Sequence, residues 1–370
     1  MMKKIQSLNA IRFIMIMFIV FSHFDSLAST EETKCLFHAF LKHPTPAVDY
    51  FFVLSGFGMM YSYINKGIVL KCSLKDLCGF AVAHVRRIYK VYLITLLAGI
   101  PLNIIHLRLA NGSIDLQYIV LAIAKLILCI PLFQSLSGST LFSHAFNGVS
   151  WFLSCLFCIY IVSPFLLNRL RKSNYNLFVM VGVNIMFLGV TRSLLKLFQN
   201  DFFDDLVYGS PYVRIFYVIT GMLLAKLFVN LQKKKTFFQT HSLGANVFEV
   251  FLLFFAVTFF LIKNILWIEI PSYVPYISLI FVCIIILSFS VESGLVSKFL
   301  QKKWMNVLGD MSMYIFLLHY PIRLYIYYML RLLGFHKSLL LTFLYVFLTL
   351  TTTFLLSFYL LKYGKNMKKV

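Results

Sequence analysis

Two apolar stretches near the start of the chain decide the fold: SLNAIRFIMIMFIVFSHF at residues 7–24 and AVDYFFVLSGFGMMYSYIN at residues 47–65. Each is close to the roughly 20 apolar residues that a transmembrane helix needs. Ionisable groups are costly at membrane depth, so those inside or at the ends of such spans are candidate functional residues. In this pair of stretches they are Arg12, His23 and Asp49.

The composition of the whole chain excludes a soluble domain. Of its 370 residues, 60% are hydrophobic and 13% are charged, whereas soluble domains carry about 25% charged residues. The apolar runs are continuous rather than alternating, which excludes a transmembrane β-barrel. We therefore predict an all-α, polytopic membrane helix bundle in a lipid bilayer, formed by a single domain over residues 1–370. The net charge of +21 is explained by basic loops beside the spans, and no pattern predicts nucleic-acid binding.

Eleven apolar segments lie along the chain, and the basic clusters between them predict its topology. The segments are 7–24, 47–65, 88–106, 115–134, 149–168, 177–198, 212–231, 246–268, 273–291, 305–331 and 338–362. Cytoplasmic loops are rich in Lys and Arg, so an even number of crossings must separate the basic loop 66–87 from the basic cluster at 169–172. We therefore predict about ten full spans plus one re-entrant segment at 115–134, both termini cytoplasmic, and 338–362 as the last span. Eleven spans with an external tail is the alternative, and it conflicts with the Lys-rich tail.

His23 is the leading candidate for chemistry. Arg12 and His23 are 11 residues apart, about three turns, so they share one face of the first helix. The topology places Arg12 toward the cytoplasm and His23 toward the outside. Asp49 opens the second span near the level of His23, and a carboxylate that orients an imidazole makes a general base; Asp25 is a second candidate for that carboxylate. The alternative interpretation is a helix-end histidine in water beside an N-capping Asp49.

A basic cluster lies where the third span leaves the cytoplasm. It consists of His84, Arg86, Arg87 and Lys90. Arginine suits phosphate groups because its guanidinium is planar and permanently charged, which makes the cluster a candidate phosphate site. A basic cluster that merely flanks the membrane is the simpler interpretation.

Three more polar or aromatic residues mark later candidate positions. Ser55 lies mid-span beside Gly56, where an interhelical hydrogen bond is the default interpretation. Trp151 opens the fifth crossing, either as an interfacial anchor or as a surface for a sugar ring. His319 lies deep in the tenth segment, where a histidine bonded to backbone is the simpler interpretation. The seven cysteines are scattered and predict no metal site.

In this order the motifs resemble those of the acyltransferase-3 family of integral-membrane O-acyltransferases, over about residues 7–330. The matching motifs are Arg12 with His23, Val48 to Phe57, Arg87-Ile88-Tyr89, Ser150-Trp151-Phe152-Leu153, Gly221, and Leu308-Gly309 through Ser312, Tyr314, His319 and Pro321. Three departures are His84 at the first position of the usual Arg-x-x-Arg motif, Lys90 where a proline is common, and Leu156 where a glutamate often ends the Trp motif. The Trp motif without the acid resembles the branch that modifies bacterial surface polysaccharides.

The resemblance implies an O-acetyltransferase of the bacterial inner membrane. Its donor would be acetyl-CoA, and its glycan acceptor a sugar hydroxyl of a surface polysaccharide or precursor. The implied roles are general base for His23 with Asp49 or Asp25, phosphate binding for His84, Arg86, Arg87 and Lys90, and tunnel lining for Arg12, Ser55, Trp151 and His319. The alternatives are a transporter or flippase-like protein for a polysaccharide intermediate, and a scaffold that has lost its chemistry. An internal repeat would favour transport, and none is visible.

Overall fold

The fold is described from a computed structural model of the chain. It describes residues 4–24, 44–64, 66, 68–111, 115–172, 176–197, 201–233, 242–269, 274–334 and 339–366. The helices are α1 Gln6–Ser22, α2 Thr45–Tyr63, α3 Leu74–Asn111, α4 Leu116–Cys129, a 3₁₀ turn Gln134–Ser137, α5 Thr140–Ser143, α6 Trp151–Lys172, α7 Asn176–Leu197, α8 Asp201–Gly209, α9 Pro211–Lys233, α10 Ser242–Glu269, α11 Val274–Phe289, α12 Leu295–Leu300, α13 Lys303–Leu332 and α14 Leu339–Asn366. These described residues include no β-strand.

The helical membrane architecture predicted from the sequence is confirmed. In the described part of the chain, α3, α6, α9, α10 and α14 are each long and apolar enough to cross a membrane, and α1, α4, α7 and α11 contain shorter apolar stretches. Apart from the third, the predicted apolar segments coincide with helices to within about five residues, as with 305–331 and α13. The number of full crossings and the side on which each terminus lies stay predictions.

The third helix is longer than the apolar segment that predicted it. α3 begins at Leu74 rather than near residue 88 and runs through Pro101 to Asn111. Its start is capped by Ser73, whose hydroxyl accepts a hydrogen bond from the backbone N–H of Asp76 at 3.3 Å. The basic cluster expected at the end of a loop therefore stands on a helix, because Lys and Arg are good helix formers. Each of its side chains consequently has a defined direction around the helix axis.

Two glycines bring the backbones of α2 and α9 into contact. A Cβ atom on Gly56 would lie 1.9 Å from the carbonyl oxygen of Val218, and one on Gly221 would lie 2.0 Å from that of Val53. In a bilayer the association of helices depends on close packing, which small residues permit. Gly56 and Gly221 therefore permit α2 and α9 to pack with their backbones in contact.

Helix α1 packs along α13, and its first turn is held by Glu292. The carboxylate of Glu292 accepts hydrogen bonds from the backbone N–H groups of Gln6 at 2.6 Å and Ser7 at 3.0 Å. These donors lack partners within the helix, so the carboxylate stabilises the helix start. Further along, a Cβ atom on Gly309 would lie 2.0 Å from the carbonyl oxygen of Asn9, so the two backbones touch. The pairing brings the end of α1 beside the middle of α13.

The irregular segment 130–150, between α4 and α6, is packed against the rest of the bundle. Ser135 and Asn147 are fully buried in it. The Ser135 hydroxyl donates to the carbonyl of Trp151 at 2.8 Å, and the Asn147 amide donates to that of Leu317 at 3.0 Å. Irregular backbone at membrane depth requires partners of this kind. The segment therefore has the buried partners that irregular backbone needs, and the re-entrant segment at 115–134 stays a prediction.

Candidate active site

His23 follows the last residue of α1 and faces a second histidine on α13. Its Nδ1 lies 3.2 Å from Nε2 of His319, and Nδ1 of His319 lies 3.0 Å from the carbonyl oxygen of Ile315. His319 is fully buried and His23 is half-buried. The sequence predicted His319 as a tunnel residue; the structure places it behind His23, in direct contact with the imidazole.

Arg323, one turn after His319 on α13, holds the same end of α1. Its guanidinium donates to the backbone carbonyl of His23 and lies 4.9 Å from the ring centroid of Tyr320. The Tyr320 ring packs edge-on against the His23 imidazole, with 5.6 Å between centroids. Carbonyls at a helix end lack intrahelical partners, so a basic side chain there is stabilising. Sequence reasoning missed Arg323, although a charge inside the apolar segment 305–331 is the same signal that identified Arg12.

The carboxylate of Asp49, which the sequence predicted as an orienting partner of His23, has other partners in the structure. Asp25 lies outside the described residues. Asp49 is fully buried and accepts hydrogen bonds from Arg214 at 2.5 Å and from the hydroxyl of Ser278 at 2.5 Å. The reason is helical geometry: Val48 faces the cavity beside His23, and the next residue points about 100° away around the helix, toward α9 and α11.

Arg214 occupies a cage of aromatic rings. Its guanidinium carbon lies 4.9 to 5.9 Å from the ring centroids of Phe52, Trp151, Tyr208 and Tyr217, and its Nε donates to the carbonyl of Tyr208 at 2.7 Å. Buried ion pairs are stable only when their remaining hydrogen-bonding groups also find partners, which this cage and the carbonyl provide. Sequence reasoning missed Arg214 too, although it is a charged residue within the apolar segment 212–231.

A cavity of about 260 Å³ lies against His23, and we call it the histidine cavity. Its lining includes His23, His144, Trp151, Tyr208 and Tyr320 together with aliphatic and phenylalanine side chains. Apolar and aromatic walls with a few polar groups are typical of ligand sites. Of the residues predicted to line a substrate tunnel, Trp151 is the one found here.

A second cavity of about 550 Å³, which we call the arginine cavity, contains Arg12 and part of α3. His84 and Arg87 line it, whereas Arg86 and Lys90 are not among its lining residues, although all four side chains are exposed. Since an α-helix turns 100° per residue, positions 84 and 87 share one face, and 86 and 90 share another. The structure therefore divides the predicted phosphate-binding cluster into a pair inside the cavity and a pair outside it.

The other polar groups of the arginine cavity lie on α1, α2, α6 and α13, and those of α13 include the carboxylate of Asp310, which pairs with Lys4 at 2.9 Å. The hydroxyl of Ser55 is 2.7 Å from that of Tyr160, so Ser55 pairs with a phenol rather than with the base that an activated nucleophile requires. A branch of about 380 Å³ shares Arg12 with this cavity and is also lined by Lys4 and Lys66. The cations of this region therefore extend past the cavity itself.

The histidine and arginine cavities meet at three apolar side chains. Phe51, Phe152 and Met313, from α2, α6 and α13, line both of them, and we call these three residues the septum. Arg12 and His23 lie on opposite sides of the septum, about 16 Å apart along α1 at 1.5 Å per residue. A short apolar barrier is thus the boundary between the cationic cavity and the imidazole cavity.

The comparison with known families agrees with this architecture. Residues 5–362 match the model of the acyltransferase-3 family, described as an acyltransferase domain. Because the match covers nearly the whole chain, the chain belongs to this family. It is a membrane acyltransferase, an enzyme that transfers acyl groups. No curated protein and no solved structure matches the chain.

Proposed function

We propose that this acyltransferase moves an acetyl or other acyl group from cytoplasmic acyl-CoA to a sugar hydroxyl of a cell-surface polysaccharide or its precursor, with His23 as general base. The observation that carries the proposal is the placement of the two cavities. One holds fixed cations, the other holds an imidazole, and the septum lies between them. This arrangement suits a donor and an acceptor that arrive from opposite sides of a membrane.

The arginine cavity fits the chemistry of the donor. Coenzyme A carries several phosphate groups; Arg12 and Arg87 offer them permanently charged guanidinium groups, and the His84 imidazole adds a further hydrogen-bonding group. The cavity volume falls within the roughly 300–1,000 Å³ typical of ligand sites. The basic loops beside α3 predict that this side of the protein is cytoplasmic, where acyl-CoA is available in a bacterial cell.

The histidine cavity fits a sugar acceptor. Trp151, Tyr208 and Tyr320 line it with aromatic rings, which pair an apolar face with a polar edge and so match the mixed surface of a pyranose. The Trp motif around Trp151, which resembles that of polysaccharide-modifying enzymes, supports a surface glycan as the acceptor. The predicted topology places this cavity toward the outside of the inner membrane.

The reaction requires one base and a leaving thiol. The acceptor hydroxyl oxygen attacks the thioester carbonyl carbon while His23 takes the hydroxyl proton. A C–O bond forms, the C–S bond then breaks, and the thiolate of the coenzyme leaves. The imidazolium of His23 returns its proton to that thiolate, so the products are an ester and a free thiol. His23 ends the cycle in its starting state.

Mass spectrometry of the surface glycan tests the proposal. The glycan is compared between cells with the gene, cells without it, and cells carrying His23→Ala at equal membrane abundance. We expect the glycan to lose the mass of one acyl group per modified sugar in cells without the gene and in cells carrying His23→Ala. An unchanged glycan without the gene would contradict the proposal, and so would the disappearance of the whole polymer from the surface, which would indicate transport.

A further inference from the structure

The hydrogen bonds behind His23 assign a role to the second histidine. We propose that His319 is a positioning residue that holds His23 in the tautomer whose Nε2 is unprotonated. This inference rests on the proposed function. It extends the proposed function by naming the nitrogen of His23 that takes the acceptor proton and the residue that keeps this nitrogen unprotonated.

The directions of the two hydrogen bonds follow from the carbonyl group at one end. The carbonyl oxygen of Ile315 can only accept, so Nδ1 of His319, 3.0 Å away, carries a proton. In a neutral imidazole the other nitrogen is then an acceptor. Nδ1 of His23, 3.2 Å from that acceptor, must donate to it. His23 therefore keeps its proton on Nδ1, and Nε2 carries the lone pair.

The surroundings of His319 favour its neutral form. The side chain is fully buried, and the rings of Phe316 and Tyr320 pack near it, with centroids 6.3 and 6.4 Å from its own. Among the residues that the structure describes, no carboxylate forms a hydrogen bond or ion pair with it. A buried charge without a counter-ion is costly. His319 thus acts as a neutral hydrogen-bond acceptor in the position that a carboxylate occupies beside many catalytic histidines.

The position of the His23 ring is fixed from two further sides. Arg323 bonds to its backbone carbonyl, and the Tyr320 ring packs edge-on against the imidazole. Since Nδ1 is turned toward His319, the free edge of the ring is the one that carries Nε2. His23 lines the histidine cavity, so this edge belongs to the site where the acceptor is proposed to bind.

The tautomer of His23 can be measured directly by NMR. Protein with isotope-labelled histidine is studied in lipid nanodiscs, and the His23 signals are assigned by their loss in His23→Gln. We expect a proton on Nδ1 and none on Nε2; the opposite tautomer would overturn the proposal. The measurement uses the wild-type chain and does not depend on turnover, so it separates a failure of this inference from a failure of the proposed function.

Two substitutions of His319 distinguish positioning from packing. His319→Gln keeps an oxygen that can accept from Nδ1–H of His23, whereas His319→Leu has similar bulk and no acceptor. We expect kcat to fall about 100-fold in His319→Leu, the scale of a lost general base, and by only a few-fold in His319→Gln, with KM for both substrates little changed. Equal kcat values in the two variants, or a loss confined to KM, would overturn the proposal.

Discussion

The carboxylate of Asp49 lies 2.5 Å from the guanidinium of Arg214, and both side chains are almost completely buried. Removing one partner from a buried ion pair leaves an uncompensated charge and costs about 3–5 kcal/mol. We therefore expect Asp49→Ala to lower the thermal unfolding temperature markedly. The double variant Asp49→Ala with Arg214→Met should recover most of the loss, because neither charge is then left buried. Thermal unfolding of the purified proteins in one detergent measures both.

The same pair of variants tests what Asp49 does in the reaction. If the double variant is stable and still transfers acyl groups, Asp49 acts through packing of α2 against α9. If Asp49→Ala unfolds at the wild-type temperature, the ion pair does not stabilise the bundle and the structural role assigned to it is wrong.

Asp49 also shows that the sequence could not predict the partner of a buried side chain. Hydropathy and charge are local properties, so they predicted the apolar helices and the candidates Arg12 and His23. The partner of a buried side chain depends on how each helix is rotated within the bundle. A rotation of 100° per residue separates Val48, which lines the histidine cavity, from Asp49, which does not.

The basic cluster on α3 is a second case in which the rotation of the helix could not be predicted from the sequence. Its residue types predicted a phosphate site, and the structure shows that His84 and Arg87 line a cavity; the sequence did not predict which members of the cluster face it. The charges Arg214 and Arg323 were detectable as ionisable residues inside apolar segments. Their partners, an aspartate and a backbone carbonyl far away in sequence, required the fold.

Substitution of Gly221 tests the crossing of α2 and α9. A Cβ atom there would lie 2.0 Å from a backbone oxygen of α2, and a backbone contact cannot be relieved by a change of rotamer. We expect Gly221→Ala to lower the unfolding temperature and the yield of folded protein, with a cost of about 1–3 kcal/mol for overpacking. Gly182→Ala is the matched control, because nothing lies within 4 Å of a Cβ at that position. Equal stability of the two variants would show that the close crossing is not formed.

Two neighbouring arginines on α3 test the donor site. Arg87 lines the arginine cavity and Arg86 does not. A hydrogen bond to a charged group contributes about 1.5–3 kcal/mol, so we expect Arg87→Ala to raise KM for acyl-CoA about 10-fold or more, with KM for the acceptor unchanged. Arg86→Ala removes the same charge on another face of the helix and should leave KM for the donor near wild type. An identical rise in both variants would mean that only the general positive charge of this region matters.

The septum should limit the size of the acyl group. Met313 lines both cavities, so shortening it widens the passage between them. We expect Met313→Ala to increase the rate of butyryl transfer relative to acetyl transfer several-fold, measured by competition between the two coenzyme A esters. Met329→Ala, at an exposed position of the same helix, is the control. An unchanged ratio in Met313→Ala would remove the septum from the acyl path.

Transfer across a sealed bilayer tests the central claim most directly. Proteoliposomes enclose the glycan isolated from cells that lack the gene, and acetyl-CoA with a labelled acetyl group is supplied outside. We expect labelled ester to accumulate on the enclosed glycan with wild-type protein, and none above background with His23→Ala at equal incorporation and stability. Label that reaches only glycan added on the donor side, or an undiminished rate with His23→Ala, would contradict transfer between the two cavities with His23 as the base.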